Sequence, residues 1–344
     1  MSGGSWRRNA AKLGLWIFGA AASACVATFS FERTLSEVAG AREAGVEADV
    51  RGASPSPSER LLREAIVRLE GLRSASADLD FEARLFGERY FGRGRYEETS
   101  EASSAADASR RSALENVRYR LRASIARGSA KEARDDGEEN VLEIVCDCDR
   151  QALWTYSSVE GTKTLTRIDV AELSNGLASL SPGELAAVGV EGPCAMNGLP
   201  GLGGLAGTLR RLSAVYRFEP RVEKAPPFKG TEVVKITGRA RRAFWDASKR
   251  SLGVDKLEPY LSENLPGNVE IYLGADWPFP YKIVYFSLAE NEEKTRNDVF
   301  TVEYSSVVRN DATIRPENFN YNQPQITFER VTSKYVESLI SDAE

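Results

Sequence analysis

Cysteine is the residue type in this chain with the widest range of chemistry. Cys146 and Cys148 are two positions apart in an alternating segment, so their side chains share one face of a strand, and Cys194 follows later. In an exported protein a disulfide from Cys146 or Cys148 to Cys194 is favoured, since two cysteines on one strand face bond to each other only with strain. One cysteine would then remain as a thiol. No fourth ligand accompanies the three cysteines, so we predict no metal site and no cofactor.

The complete absence of histidine removes most catalytic chemistry. Without His the chain can build neither a Ser-His-Asp nor a Cys-His site, and it has no imidazole metal ligand. The acidic pairs 135–136 and 138–139 fall in one polar run rather than on opposite walls of a cleft, as a glycosidase needs. We therefore expect a protein that is not an enzyme.

Charge argues against nucleic acid as a partner. The chain has 45 Lys+Arg against 50 Asp+Glu, a net charge of −5 with a pI near 5.3, whereas phosphate binding needs a basic face. Arg118, Arg120 and Arg122 do form a local basic strip along one strand face. Two interpretations stay open: a solvated outer face paired with acidic neighbours, or a docking strip for anionic head groups or an acidic partner.

The N-terminus indicates export. Arg7, Arg8 and Lys12 precede an uncharged stretch over residues 13–31, which at the helical rise spans roughly 28 Å, close to the hydrocarbon thickness. The stretch fits an uncleaved anchor, a signal peptide cleaved after the small residues 22–24, or lipidation at Cys25. In each case the basic flank stays in the cytoplasm. We therefore predict a periplasmic or extracytoplasmic protein anchored to the inner membrane by residues 13–31.

Composition divides the chain into three parts. Residues 1–31 are the predicted signal or membrane anchor, and residues 32–59 are rich in Ala, Gly, Ser, Pro and charges, which is typical of a flexible linker. Residues 60–344 hold the periodic segments and are predicted to form one domain.

The periodicity of this domain predicts an α+β fold. Residues 59–72 have the spacing of an amphipathic helix with Ser58 as its N-cap, and residues 171–180, 181–188 and 335–340 also read as helices. Alternating segments predict about ten strands, and Gly92 and Gly94 suggest flat or bulged points in the second. The predicted strands are 80–86, 88–99, 116–126, 140–147, 151–157, 163–170, 231–237, 269–273, 281–288, 300–308 and 325–328. An antiparallel sheet of this size curls into an open or closed barrel.

A glycine-rich segment over residues 197–212 carries leucines near helical spacing. Each Gly costs roughly 1 kcal/mol against Ala inside a helix, so this helix is marginal by itself. Two interpretations stay open: a movable cover over the sheet, or a fixed helix whose glycines permit close packing.

The order of these elements resembles the LolA-like family of periplasmic lipoprotein carriers, over roughly residues 60–340. The resemblance depends on the amphipathic helix, Gly92-Arg-Gly-Arg-Tyr96, the Arg-rich strand and a late Phe319-Asn-Tyr-Asn-Gln-Pro324. Its most specific piece is the strand Asp149-Arg-Gln-Ala-Leu-Trp-Thr-Tyr156. The Cys-Asp-Cys insertion and the N-terminal span depart from the pattern of soluble carriers, so this chain looks like a membrane-tethered relative.

The resemblance implies an unclosed antiparallel β-barrel whose apolar concave face is covered by helices, with acyl chains bound between them. The side chains that would line this cavity are apolar or aromatic. They are Phe81, Leu85, Tyr119, Leu121, Ile144, Trp154, Tyr156, Leu202, Leu205 and Leu209. The implied function is lipid or lipoprotein acyl-chain binding in envelope lipid or lipoprotein handling. The alternative is a regulatory or scaffolding envelope protein that binds a protein partner through the same half-barrel, as the sigma-factor regulator RseB is thought to do.

Overall fold

The structure is a computed structural model, and ten stretches of the chain are described by it. These are residues 55–85, 88–100, 117–128, 140–147, 152–159, 162–178, 203–241, 266–288, 296–321 and 326–333. Within these stretches no helix combines the length and apolar character needed to cross a membrane. The predicted anchor over residues 1–31, nearly all of the linker, and the predicted helices 181–188 and 335–340 lie outside them.

One thirteen-stranded sheet dominates the fold. Its strands are β1 (Ser74–Leu85), β2 (Glu88–Ser100), β3 (Val117–Arg127), β4 (Val141–Asp147), β5 (Ala152–Val159), β6 (Thr162–Asp169), β7 (Tyr216–Phe218), β8 (Glu223–Lys224), β9 (Val233–Ala240), β10 (Asn268–Gly274), β11 (Pro280–Leu288), β12 (Arg296–Arg309) and β13 (Glu329–Arg330). Neighbours follow the order β13-β6-β5-β4-β3-β2-β1-β12-β11-β10-β9-β7, and β8 pairs with β9. Because β13 and β7 end this path without pairing to each other, the sheet is unclosed, as predicted.

Among the described strands, all pairs are antiparallel except β13 with β6, which is parallel and only two residues long. The predicted strand 325–328 is wrong over residues 326–328, because the chain becomes extended and paired only at Glu329. The short strands β7 and β8 were not predicted, since three or two residues carry no readable alternation.

In the described residues three α-helices accompany the sheet: α1 (Pro57–Glu70), α2 (Val170–Ala178) and α3 (Gly204–Val215). Helix α1 begins two residues earlier than predicted, with Ser56 rather than Ser58 as its N-cap. Ser56 and Glu59 form a reciprocal capping box, and Pro57 occupies the first turn, where its missing N–H costs nothing.

The two faces of the sheet differ in what covers them. On the helix face, apolar strand residues form one buried cluster with Leu62, Ile66 and Leu69 of α1 and with Leu205 and Leu209 of α3. Alternate residues of the same strands point to the other side, which we call the outer face. The helix face is therefore the core of the domain.

Glycines of β2 let the sheet and its core pack closely without a bulge. Both strand registers run through Gly92 and Gly94 unbroken, so of the two predicted alternatives, flat points or bulges, the bulges are wrong. A Cβ at Gly92 would lie 2.7 Å from Cδ1 of Phe81, and one at Gly94 would lie 2.6 Å from Cα of Ala123. The glycines are needed for close approach rather than for a kink.

Ion pairs cover much of the outer face. Asp80 of β1 accepts from Arg93 at 2.8 Å and from Lys229 at 3.1 Å, with every partner partly exposed. On β3 the Arg strip is not uniformly solvated, because Arg118 is buried while Arg122 is exposed. Arg120 pairs with Glu143 and donates to the Asn318 carbonyl at 3.3 Å.

Candidate functional site

The candidate site is the contact between the helix face and helix α3. Leu205, Leu209 and Leu212 of α3 are 2%, 0% and 4% exposed, and they pack in the cluster that contains Tyr119 and Leu121 of β3. Spacings of four and three residues put these leucines on one side of the helix. They occupy the place that the sequence assigned to an acyl chain.

Six of the ten predicted cavity residues come together here. Phe81, Tyr119, Leu121, Ile144, Leu205 and Leu209 are all buried members of the helix-face cluster. Leu85 lies in β1, where only its backbone is described, and Leu202 lies outside the described residues. That any of these side chains touches a ligand stays a prediction.

Trp154 and Tyr156 do not share this surface, which corrects the sequence interpretation. The β4–β5 register pairs Trp154 with Val145 and Tyr156 with Glu143, so both alternate with Ile144 and point to the outer face. There they join a second cluster, in which Trp154 stacks on Tyr321 with ring centroids 5.3 Å apart. A one-residue error in strand phase moves every side chain to the opposite face.

A buried carboxyl lies beneath the start of α3, and the sequence analysis missed it. Glu98 on β2 is 6% exposed, and its Oε2 accepts the backbone N–H of Leu205 at 3.0 Å and the hydroxyl of Tyr96. The two donors come from different elements, the cover helix and the sheet. Glu98 therefore joins the first turn of α3 to the sheet.

The backbone at this point is shaped for close approach. Gly203 and Gly204 have φ of 75° and 60°, the left-handed region that glycine adopts most easily. A Cβ at Gly204 would lie 2.7 Å from Cδ of Glu98 and 3.0 Å from Oη of Tyr96. The glycines thus bring the helix start directly onto the carboxyl.

Burial raises the pKa of Glu98, while the hydrogen bonds from Tyr96 and from the Leu205 N–H oppose the rise. Tyr96 is itself enclosed by aromatic rings, stacked on Tyr119 at 6.0 Å and edge-on to Tyr304 at 5.9 Å. Among the described residues, no charged side chain contributes to this raised pKa. The carboxyl is consequently held by two hydrogen-bond donors in an apolar setting.

The alternation of residues along β2 was the sequence signal that could have predicted the burial of Glu98. Gly92, Gly94, Tyr96 and Glu98 share one parity on β2, so the face that buries Tyr96 must also receive Glu98. A charged residue on an otherwise apolar face indicates a specific partner.

Helix α3 is enclosed at its start and more open towards its end. Every residue from Gly204 to Leu209 is buried, whereas Ser213 and Ala214 are exposed. Its partner α1 lies alongside, and the two helices are joined by Arg210, whose Nε donates to Glu70 Oε1 at 2.8 Å. Separation of α3 from the sheet would therefore break contacts to both the sheet and α1.

Cysteine and metal chemistry have little support among the described residues. Cys146 is buried on the helix face, and no cluster of three or more metal-ligating side chains is found in the described part of the chain. Cys148 and Cys194 lie outside that part, so a bridge between them stays a prediction.

No protein-family model matches the chain, and no curated protein matches it. Solved structures, in contrast, do match the chain. The Pseudomonas aeruginosa MucA/MucB complex matches at 12% identity and a TM-score of 0.34, covering 76% of this chain and 60% of that one. The chain thus spans less than two thirds of the first solved structure that it matches.

Two further solved structures are matched over nearly their whole length. The Mycobacterium tuberculosis lipoprotein LppX matches at 10% identity and a TM-score of 0.35, covering 74% of this chain and 97% of that one. A putative outer membrane lipoprotein-sorting protein domain from Vibrio parahaemolyticus matches at 10% identity and a TM-score of 0.29, covering 76% and 95%.

Proposed function

We propose that this protein is an extracytoplasmic binding protein that holds an acyl chain between the helix face of its sheet and helix α3. One observation carries the proposal: the cover over this apolar face is a glycine-containing helix that presents a row of leucines to the sheet. An acyl chain and a row of leucine side chains offer the same chemistry to the sheet.

The free energy lost when helix α3 leaves the sheet is comparable to the free energy gained when an acyl chain takes its place. Burying a leucine side chain is worth about 2 kcal/mol, so Leu205, Leu209 and Leu212 together contribute about 6 kcal/mol that displacement of α3 would lose. Each buried methylene of a ligand returns about 0.8 kcal/mol. About eight methylenes would offset the leucines, which a long-chain acyl group exceeds.

The proposed role is binding rather than catalysis, in lipid or lipoprotein handling at the envelope. The basic flank and the uncharged stretch over residues 13–31 support export and an inner-membrane anchor. A tethered protein would receive or present its cargo at the membrane rather than carry it freely.

Gentle extraction of the full chain followed by native mass spectrometry tests this function. We expect copurifying acyl species bound to the protein. A lipid-free protein bound to one stoichiometric protein partner would instead support the regulatory alternative and contradict the proposal.

Substitution on helix α3 tests the location of the site. Leu205→Asp places a carboxylate in the apolar contact, so we expect loss of acyl-chain uptake with secondary structure retained in circular dichroism. The matched control is Ser213→Asp, at an exposed position of the same helix, which should bind as wild type does. Unchanged uptake in Leu205→Asp would remove α3 from the site.

A further inference from the structure

Glu98 stands out among the buried charged side chains of the described residues. These are Glu98, Arg118, Glu143 and Glu270. Arg118, Glu143 and Glu270 alternate with core residues of their strands and so point to the outer face. Among these four, Glu98 is thus the one on the helix face, at the contact that the proposed ligand would use.

We propose that Tyr96 and Glu98 make the site selective for acyl ligands whose polar end carries a hydrogen-bond donor, an amide N–H or a hydroxyl. Ligands with the same chain but only acceptors, such as simple esters, are disfavoured. This inference rests on the proposed function, because it concerns a ligand that takes the place of α3 on the sheet.

The hydrogen bonds of Glu98 show which donor this side chain loses when α3 leaves the sheet. Oε2 of Glu98 receives the Leu205 N–H and the Tyr96 hydroxyl, so this oxygen acts as an acceptor whether or not the carboxyl carries a proton on its other oxygen. The hydroxyl of Tyr96 comes from the sheet and stays. The backbone N–H comes from the helix and leaves with it.

A ligand that covers Glu98 must then supply the lost donor. Oε2 keeps the Tyr96 hydroxyl but loses one of its two hydrogen bonds, and a ligand that donates to it restores that bond. An amide or hydroxyl group can donate to Oε2, whereas an ester has no N–H or O–H to donate to it. Tyr119 and Tyr304 enclose Tyr96 with aromatic rings, so the hydroxyl of Tyr96 is held in place on the sheet beside Glu98.

The site therefore recognises the polar end of its ligand, because a hydrogen-bond donor on the ligand replaces the Leu205 N–H at Glu98. The Glu98 carboxyl, which binds the start of helix α3, also recognises the ligand that replaces this helix. Chain length sets how much apolar surface is regained, and the donor decides which of two equally long ligands binds.

Competition with chain-matched ligands tests this selectivity. Hexadecanamide, hexadecanol and methyl hexadecanoate would each displace a pyrene-labelled acyl probe from the purified full chain. We expect the amide and the alcohol to bind about tenfold more tightly than the ester, a difference of about 1.4 kcal/mol. Equal affinities would overturn the inference while leaving the proposed function intact; a probe that does not bind would overturn both.

Two neighbouring substitutions assign the effect to the helix face. Glu98→Met removes the acceptor and keeps a side chain of similar length, so the preference for donor ligands should fall from tenfold to about onefold. Glu97→Met is the matched control, because Glu97 points to the outer face and accepts from Arg95 at 2.9 Å. A preference lost equally in both variants would overturn the assignment to Glu98. The wild-type ratio decides the inference even where Glu98→Met folds poorly.

Discussion

Gly204→Ala tests whether close approach of α3 to Glu98 is built into the backbone. The substitution places a methyl group at φ 60°, which costs about 1–2 kcal/mol in the left-handed region. The new Cβ would also lie 2.7 Å from Cδ of Glu98 and 3.0 Å from Oη of Tyr96. Overpacking of this kind costs about 1–3 kcal/mol, so we expect a total loss of about 2–5 kcal/mol in the free energy of unfolding.

Gly230→Ala is the matched control for backbone strain alone. Gly230 has φ 85°, and a Cβ there would meet no atom within 4 Å. This variant should lose only the strain of about 1–2 kcal/mol. Urea denaturation of both variants gives the comparison, and the difference between them isolates the close contacts of the new methyl group with Glu98 and Tyr96.

A double-mutant cycle identifies the contact partner. Glu98→Ala shortens the side chain that the new methyl group meets, so Gly204→Ala should cost about 1–3 kcal/mol less in that background. Equal losses for Gly204→Ala and Gly230→Ala, or strict additivity with Glu98→Ala, would refute the close contact.

Two other predictions concern pH and the outer-face cluster. Burial raises the pKa of Glu98 above 4.5, so the stability it contributes is full below the unfolded pKa and is lost as pH rises through the folded pKa. The free energy of unfolding of wild type should therefore fall relative to Glu98→Gln as pH rises from about 4.5; a constant difference across pH contradicts this. Phe319→Ala should cost about 3–5 kcal/mol and red-shift the fluorescence of Trp154, since Phe319 is fully buried in the same cluster. Phe328→Ala, at a side chain 43% exposed, should cost clearly less, and similar losses would show that burial does not set the effect.

Strand positions were predictable where alternation was long. The predicted strand 116–126 became β3 (Val117–Arg127), and Tyr119, Leu121 and Ala123 do share the core face. In contrast, β1 begins at Ser74, six residues before the predicted start, because Ala75 and Ala77 are too weakly apolar to stand out from their neighbours.

The phase between strands was harder to predict. Trp154 and Tyr156 share one face of β5, as predicted. The local sequence does not indicate, however, which face of β5 packs against the helices. That choice depends on the β4–β5 register and on Phe319 and Tyr321, which arrive from far along the chain to cover the outer face. Glu98 was missed for a different reason: its donor, the Leu205 N–H, lies 107 positions away.

The pairing of β1 with β12 has a consequence for how the protein matures. Ala75 aligns with Arg309 and Ala83 with Phe300, so a pair in the middle of the sheet joins sequence separated by more than two hundred positions. Contacts between such distant segments make folding slow, because a large loop must close before they form. A chain that emerges N-terminus first would hold β1 without its neighbour until nearly all of it had been delivered. Its unfinished sheet edge would need shielding from aggregation during that delay.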